Sequence, residues 1–225
     1  MKQATLATAP GQRPAGMRQE LLGLTREELE AWAETNGEPA YRGRQVFKWL
    51  YQKRASHPGA WSDLPKGFRG LLADRACIGR PSVVREEVSR DGTRKLLFGL
   101  GDGERIESVL IPDQERLTAC ISSQAGCALE CAFCLTGLMG LKRNLGPGEI
   151  VGQVLALQDA AAPGRRVSHI VLMGMGEPLA NFGNVERALR ILTDPDGPGF
   201  SPRRITLSTV GLVPGIRRLA ASGLQ

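Results

Sequence analysis

Four of the five cysteines in this 225-residue sequence fall within fifteen residues, in the run Cys120-Ile-Ser-Ser-Gln-Ala-Gly-Cys127-Ala-Leu-Glu-Cys131-Ala-Phe-Cys134. Cys127, Cys131 and Cys134 follow a C-x3-C-x2-C spacing. A short loop of that spacing can turn three thiolates toward one point, and thiolates are the usual ligands of iron–sulfur clusters and of zinc. Gly126 lets such a loop turn tightly. The two metals ask for different things. A structural zinc wants four closed ligands, so Cys120 would have to fold back across the gap to Cys127. A cubic cluster held by three cysteines keeps one iron free to bind something else. Core packing is the plain alternative for any single cysteine, and Cys77, far from the run, reads that way.

The sequence has two histidines, His57 in a polar stretch and His169 ahead of an apolar one, which supports a histidine triad or a zinc-hydrolase site poorly. Gly174-Met175-Gly176-Glu177-Pro178 follows an apolar run. Glycines there let the backbone approach a ligand closely, although a simple turn needs the same residues. Glu107, by its surroundings alone, is an exposed strand carboxylate.

These residues need elements to position them. Thr25-Arg-Glu-Glu28 is a capping box that predicts a helix to about Thr35, closed by Asn36-Gly37. A second helix is expected over roughly 42–53, with Val46, Phe47, Leu50 and Tyr51 as its apolar face. Arg42, Arg44 and Lys48 lie on the other side, as a solvated charged face or a phosphate-contacting patch beside Tyr41. A third helix is expected over 66–74. Runs at 82–89, 94–100 and 105–111, separated by Asp91-Gly92 and Gly101-Asp-Gly103, predict an antiparallel meander. From Leu117 the pattern alternates: strands at 117–122, 168–173 and 204–208, helices at 147–159, 185–192 and from about 213. Three β-α units in a row imply a parallel sheet with right-handed crossovers and a site at the C-terminal strand ends. The cysteine loop, the Gly174–Glu177 loop and Ser208 all fall at those ends.

Composition bounds the class. The chain is 42% hydrophobic, with no apolar run near the ~20 residues that span a bilayer and no signal-peptide pattern, so a cytoplasmic protein with no membrane partner is expected. In a reducing compartment, closely spaced cysteines bind metal or do chemistry. The net charge of +6 suits a nucleic-acid partner. Residues 1–20, rich in Ala, Pro, Gly and Thr at their start, read as a disordered segment.

The C-x3-C-x2-C loop resembles the signature of the radical S-adenosylmethionine (SAM) superfamily. The longer run CISSQAGCALECAFCLTG, followed by RNL and EIVGQV, resembles one family within it, the dual-specificity RNA methyltransferases acting on adenine C2 of 23S rRNA and of some tRNAs. The similarity runs from about Leu24 to the last residue. It implies an α/β fold: a small accessory RNA-binding domain of helices and a β-meander over 21–112, then over 113–225 the first three βα units of a six-stranded TIM-type radical SAM barrel. It implies that Cys127, Cys131 and Cys134 hold a [4Fe-4S] cluster, and that SAM binds its open iron and is cleaved to a radical. Gly176, Glu177 and Ser208 would contact SAM. Glu107, in a closed, dry pocket that raises its pKa, would take the C2 proton. Cys120 would form a disulfide that releases the product. The partners implied are 23S rRNA, tRNA and an external, flavodoxin-like electron donor, with the enzyme a monomer using two SAM molecules.

The sequence departs from the family in one respect. The methyl-carrying cysteine expected near the C terminus is missing, since no cysteine follows Cys134. The chain therefore reads as a partial copy, inactive alone. Two alternatives stay open: the paralogue that methylates adenine C8, which the motif loop does not separate, and a zinc-stapled RNA-binding module using Cys120, Cys127, Cys131 and Cys134.

Overall fold

The computed structural model describes residues 18–224. Most of the segment expected to be disordered, residues 1–17, lies outside the described residues, but its end does not fit that expectation. Gln19–Glu20 form strand β1, which pairs in parallel with β2. The Glu20 carboxylate accepts the N–H groups of Leu22 and Gly79 at 2.9 and 2.7 Å, and these bonds give the segment its order.

Three helices follow. In α1 (Arg26–Thr35) the Thr25 hydroxyl accepts the Glu28 N–H at 3.3 Å and the Glu28 carboxylate accepts the Thr25 N–H at 2.9 Å, as the capping box predicts. In α2 (Ala40–Tyr51) Val46, Phe47, Leu50 and Tyr51 are buried, the expected face. Its cations are already partnered: Arg44 with Glu30 at 3.2 Å, Lys48 with Asp196 at 3.1 Å, and Arg42 over the Tyr41 ring at 4.7 Å. The row offered as a phosphate patch is thus largely an ion-paired surface. α3 (Lys66–Arg75) runs directly into β2 (Ala76–Cys77).

The meander β3 (Ser82–Val88), β4 (Arg94–Gly99) and β5 (Arg105–Asp113) is antiparallel, as expected. It does not stop at residue 112. β5 turns through Gln114, which takes a left-handed φ of 49°, and pairs antiparallel with β6 (Arg116–Cys120). Beyond β6, strands β7 (Gln124–Gly126) and β8 (Leu141–Asn144) form an antiparallel pair of their own, with the four-residue helix α4 (Leu135–Leu138) in the span between them. Then come α5 (Pro147–Ala160), β9 (His169–Leu172), α6 (Phe182–Thr193), β10 (Ile205–Leu207) and α7 (Val213–Ala221).

β6, β9 and β10 are parallel neighbours, so one mixed six-stranded sheet results, ordered β10-β9-β6-β5-β4-β3. The boundary expected between an accessory domain and an α/β core is crossed by a continuous hydrogen-bonded sheet. One apolar core unites Leu29, Phe47 and Leu72 of the helices with Ile106, Ala119, Val154 and Ile170 of the sheet and its covering helix. No described helix is long and apolar enough to cross a membrane.

Candidate functional site

The cysteine run is the far end of the β7–β8 pair. Gly126 sits at φ +75°, and a side chain there would collide with the Gly140 carbonyl, so the residue ahead of Cys127 must be glycine for the two strands to close. The base is tied twice more, by Cys127 N–H to Gly140 O at 3.2 Å and by the Gln124 side-chain amide to Asn144 Oδ1 at 2.8 Å. Arg143 of β8 donates both terminal nitrogens to Glu149, at 2.8 Å each, and its Nε to Asp102 in the β4–β5 turn. That guanidinium holds the Asp102 carboxyl down at about 2.

The tip is built differently. Phe133, Leu135 and Leu138 are 93%, 80% and 85% exposed. Cys127 is buried at the root, where its sulfur accepts the Leu129 N–H at 3.4 Å, while Cys131 and Cys134 are half-buried. The N–H of Gly137, and then that of Thr136, pull the Cys134 thiol below its ordinary value. Among the described residues no three Cys, His, Asp or Glu side chains already converge on a metal-sized point. The donor chemistry nevertheless fits a three-thiolate cluster: three free thiols, one buried and two half-buried, share one short loop. Cys120 stands apart, on β6 within the main sheet, opposite Val109 and Val171.

Register places the other expected residues. Alternation along β5 buries Ile106, Ser108 and Leu110, leaving Glu107 and Val109 on the opposite face. Val109 pairs with Cys120, Cys120 with Val171, and Val171 with Thr206, two residues before Ser208. Glu107, Cys120 and the Thr206–Ser208 end of β10 therefore lie on one sheet face, away from the helix-covered core. The Cys120 thiol is pushed up by burial, partly offset by the Met173 N–H. Glu107 does not sit in the closed, dry pocket expected for it. Its side chain is 47% exposed and faces Lys95 Nζ at 3.3 Å, because its position on the open face of the sheet leaves it uncovered. The carboxylate raises the Lys95 pKa.

The Gly174–Glu177 loop leaves the C-terminal end of β9. Gly176, at φ +96°, has no room for a side chain against Gln124. Here the glycine serves close packing of loop on loop. Glu177 is 4% exposed, and its two oxygens accept the N–H groups of Leu179 and Val210, each at 2.9 Å. Its own N–H donates to Gln124 Oε1 at 2.8 Å. One residue thus joins the segments that follow β6, β9 and β10, its carboxylate reaching the last two and its backbone N–H the first. Ser208 is exposed at the end of β10.

Sequence reasoning missed the polar centre beneath this surface. Gln153 of α5 is fully buried, its Oε1 accepting from Ser108 Oγ at 2.8 Å and Ser122 N–H at 2.7 Å, its Nε2 donating to Ser122 O at 3.0 Å. Ser122 Oγ donates to Glu107 O at 2.7 Å and accepts the Met175 N–H at 2.9 Å. Asn181 donates to Ser123 O and Leu145 O, both at 2.8 Å. The available signal was a Gln set inside the apolar run 150–157 of that helix. Ser123 Oγ, 1% exposed, lacks a hydrogen-bond partner among the described residues. An orphaned hydroxyl beside the strand ends is what a site completed by a polar ligand presents.

Comparison with known proteins adds a second line. The sequence pattern of the ribosomal RNA large subunit methyltransferase N-terminal domain matches residues 19–78, and that of the radical SAM superfamily matches residues 121–224. The meander lies between the two. Dual-specificity RNA methyltransferase RlmN of Desulfosudis oleivorans is 50% identical over 207 residues, 92% of this chain and 55% of that protein. Its namesake in Geobacter sulfurreducens is 52% identical over 203 residues, 90% of this chain and 55% of that protein. A crystal structure of a radical SAM methyltransferase from Sphaerobacter thermophilus superposes with a TM-score of 0.84 at 47% identity, covering 90% of this chain and 60% of that one. The chain spans a little over half the length of the curated relatives it matches.

Proposed function

From the premise that this chain belongs to the radical SAM family of dual-specificity RNA methyltransferases, we propose that it takes part in methylating adenine C2 of 23S rRNA and tRNA. The family implies a [4Fe-4S] cluster and SAM as cofactors. When bound, they supply the radical chemistry that an electron-poor ring carbon requires, which polar methyl transfer does not.

The chain's own residues bind, orient and handle protons. Cys127, Cys131 and Cys134 provide the three thiolates. Glu177, fixed by the N–H groups of Leu179 and Val210, keeps lone pairs for the amino group of SAM, and Gly176 lets that loop seat against Gln124. Ser208 contributes a hydroxyl from the end of β10. Glu107 takes the proton from C2, its carboxylate oriented by Lys95 and its main chain by Ser122. Cys120, kept as a thiol by burial, forms the disulfide that releases the product, with a cysteine that these 225 residues do not contain. The helices and meander of residues 21–112 recognise the RNA. An external flavodoxin-like protein supplies electrons to a cytoplasmic monomer, and the full reaction consumes two SAM molecules.

The observation that carries this reading is spatial: the cysteine hairpin, Glu177 and Ser208 share one end of β6, β9 and β10, with Glu107 and Cys120 on the adjoining sheet face. It is tested by anaerobic reconstitution. The 225-residue chain should bind iron with sulfide, turn brown, and show an altered electron paramagnetic resonance signal on adding SAM. Colourless zinc on all four thiols would defeat it. The same polypeptide alone should not methylate an adenine-containing RNA fragment.

A further inference from the structure

At the other ends of the parallel strands lies a cavity of about 550 Å³. It forms where the segments leading into β9 and β10 meet α2 and α5. Arg166 and Ser168 precede β9, Arg204 precedes β10, and Arg54 follows α2. The lining includes these three arginines and no carboxylate. Nearby acids are already committed. Asp159 pairs with Arg54 at 2.7 Å and Arg80 at 2.9 Å, Asp194 with Arg26 at 3.8 Å, and Asp196 with Lys48 at 3.1 Å. Arg166 and Arg204 are exposed, and neither has a side-chain hydrogen bond or ion pair among the described residues.

A second observation is independent of charge. Arg54 has a left-handed φ of 52°, a conformation that L side chains rarely adopt. It is pinned from both sides, its carbonyl accepting from Arg80 Nη2 at 2.6 Å and its Nε donating to Asp159. Strained backbone of this kind persists where the surroundings over-determine it, and it clusters at ligand sites.

We propose that this cavity binds a phosphoryl group, gripped by Arg166 and Arg204 and backed by Arg54. Guanidinium presents a planar fork of donors that matches two phosphate oxygens at once, which suits it to this ligand. The phosphoryl group has two sources, the backbone of an RNA or free phosphate. The RNA source rests on the proposed function. The cavity's walls come from both the helical region and the α/β region, so an RNA strand held there would be anchored at the end of the fold opposite the cysteine hairpin.

The test uses the whole 225-residue chain and its Arg166→Glu, Arg204→Glu and Arg90→Glu variants. Arg90 is an exposed turn residue outside the cavity and controls for net charge. Inorganic phosphate is titrated by calorimetry, and a fluorescent single-stranded RNA by anisotropy at several salt concentrations. If RNA is the source, Arg166→Glu and Arg204→Glu each weaken RNA binding and lower the salt slope by about one, while Arg90→Glu does not. If free phosphate is the source, its binding to the parent chain disappears in the two cavity variants alone. Phosphate binding nowhere, with RNA affinity equal in the cavity and control variants, overturns the site. RNA binding that survives in every variant leaves the proposed function standing, so the two failures are distinguishable.

Discussion

Gln124 and Asn144 mark a line across the candidate site, and the chain is organised in opposite ways on its two sides. Below it, Gln153, Ser122, Gln124, Glu177 and Asn181 are buried, and their polar groups are matched among themselves and with backbone. Above it, Phe133, Leu135 and Leu138 stand in solvent, and the three thiols have not converged. The difference follows from what each part can draw on. A buried amide must find partners within the protein or pay a desolvation penalty, so the base specifies its own geometry. The tip has few buried partners of its own, so its geometry would be set by the cluster that the family implies.

The contrast can be broken experimentally, and the most damaging change falls below the line. Gln153→Leu leaves Ser122 N–H and O and the Ser108 hydroxyl without a shared partner. It should cost about 2–5 kcal/mol of folding stability, since each buried unsatisfied group costs ~1–3 kcal/mol. Urea unfolding measures this, and a loss below about 0.5 kcal/mol would mean that the centre repacks freely. The Arg143 bridge at the boundary gives a smaller, pH-dependent effect. Asp102 is depressed to about 2 in the fold against ~3.9 unfolded, so its contribution is present above about pH 4 and lost as the pH falls toward about 2. Its side chain is 43% exposed, which holds the contribution below about 1 kcal/mol. The stability gap between the parent chain and Asp102→Asn should therefore close over that window; a constant gap would remove the bridge from the account. Smallest of all is Phe133→Ser at the tip, expected within about 0.5 kcal/mol of the parent in the metal-free chain. A larger loss would show that the tip packs before any cluster arrives.

Local signals carried much of the fold. Thr25–Glu28 satisfied two orphan donors with side chains three residues apart, so the capping box announced α1. The βα rhythm from Leu117 onward and the apolar face of α2 were legible for the same reason, because period and pattern act within one element. Features that depend on distant partners were not. β7 and β8 are three and four residues long and contain no alternation to read; they exist because Gly126 lets them close. The union of meander and core rests on β5 meeting β6, where the change from a meander to alternating strands and helices suggested a boundary. Glu107 was legible as a strand residue, but its openness to solvent and its partner Lys95 emerge only from cross-strand registry. Gln153 was invisible because a glutamine in a helix ordinarily faces water.

The turn at Gln114 has a consequence for how this sequence can change. It fixes which residue of β5 stands opposite which residue of β6, and side chains alternate sides at every step. A slip of one residue in that register would swing either Glu107 or Cys120 into the apolar interior, whereas a slip of two would preserve their shared orientation. A short surface connection thus bears on the pairing of two residues that it never touches, through the register it sets.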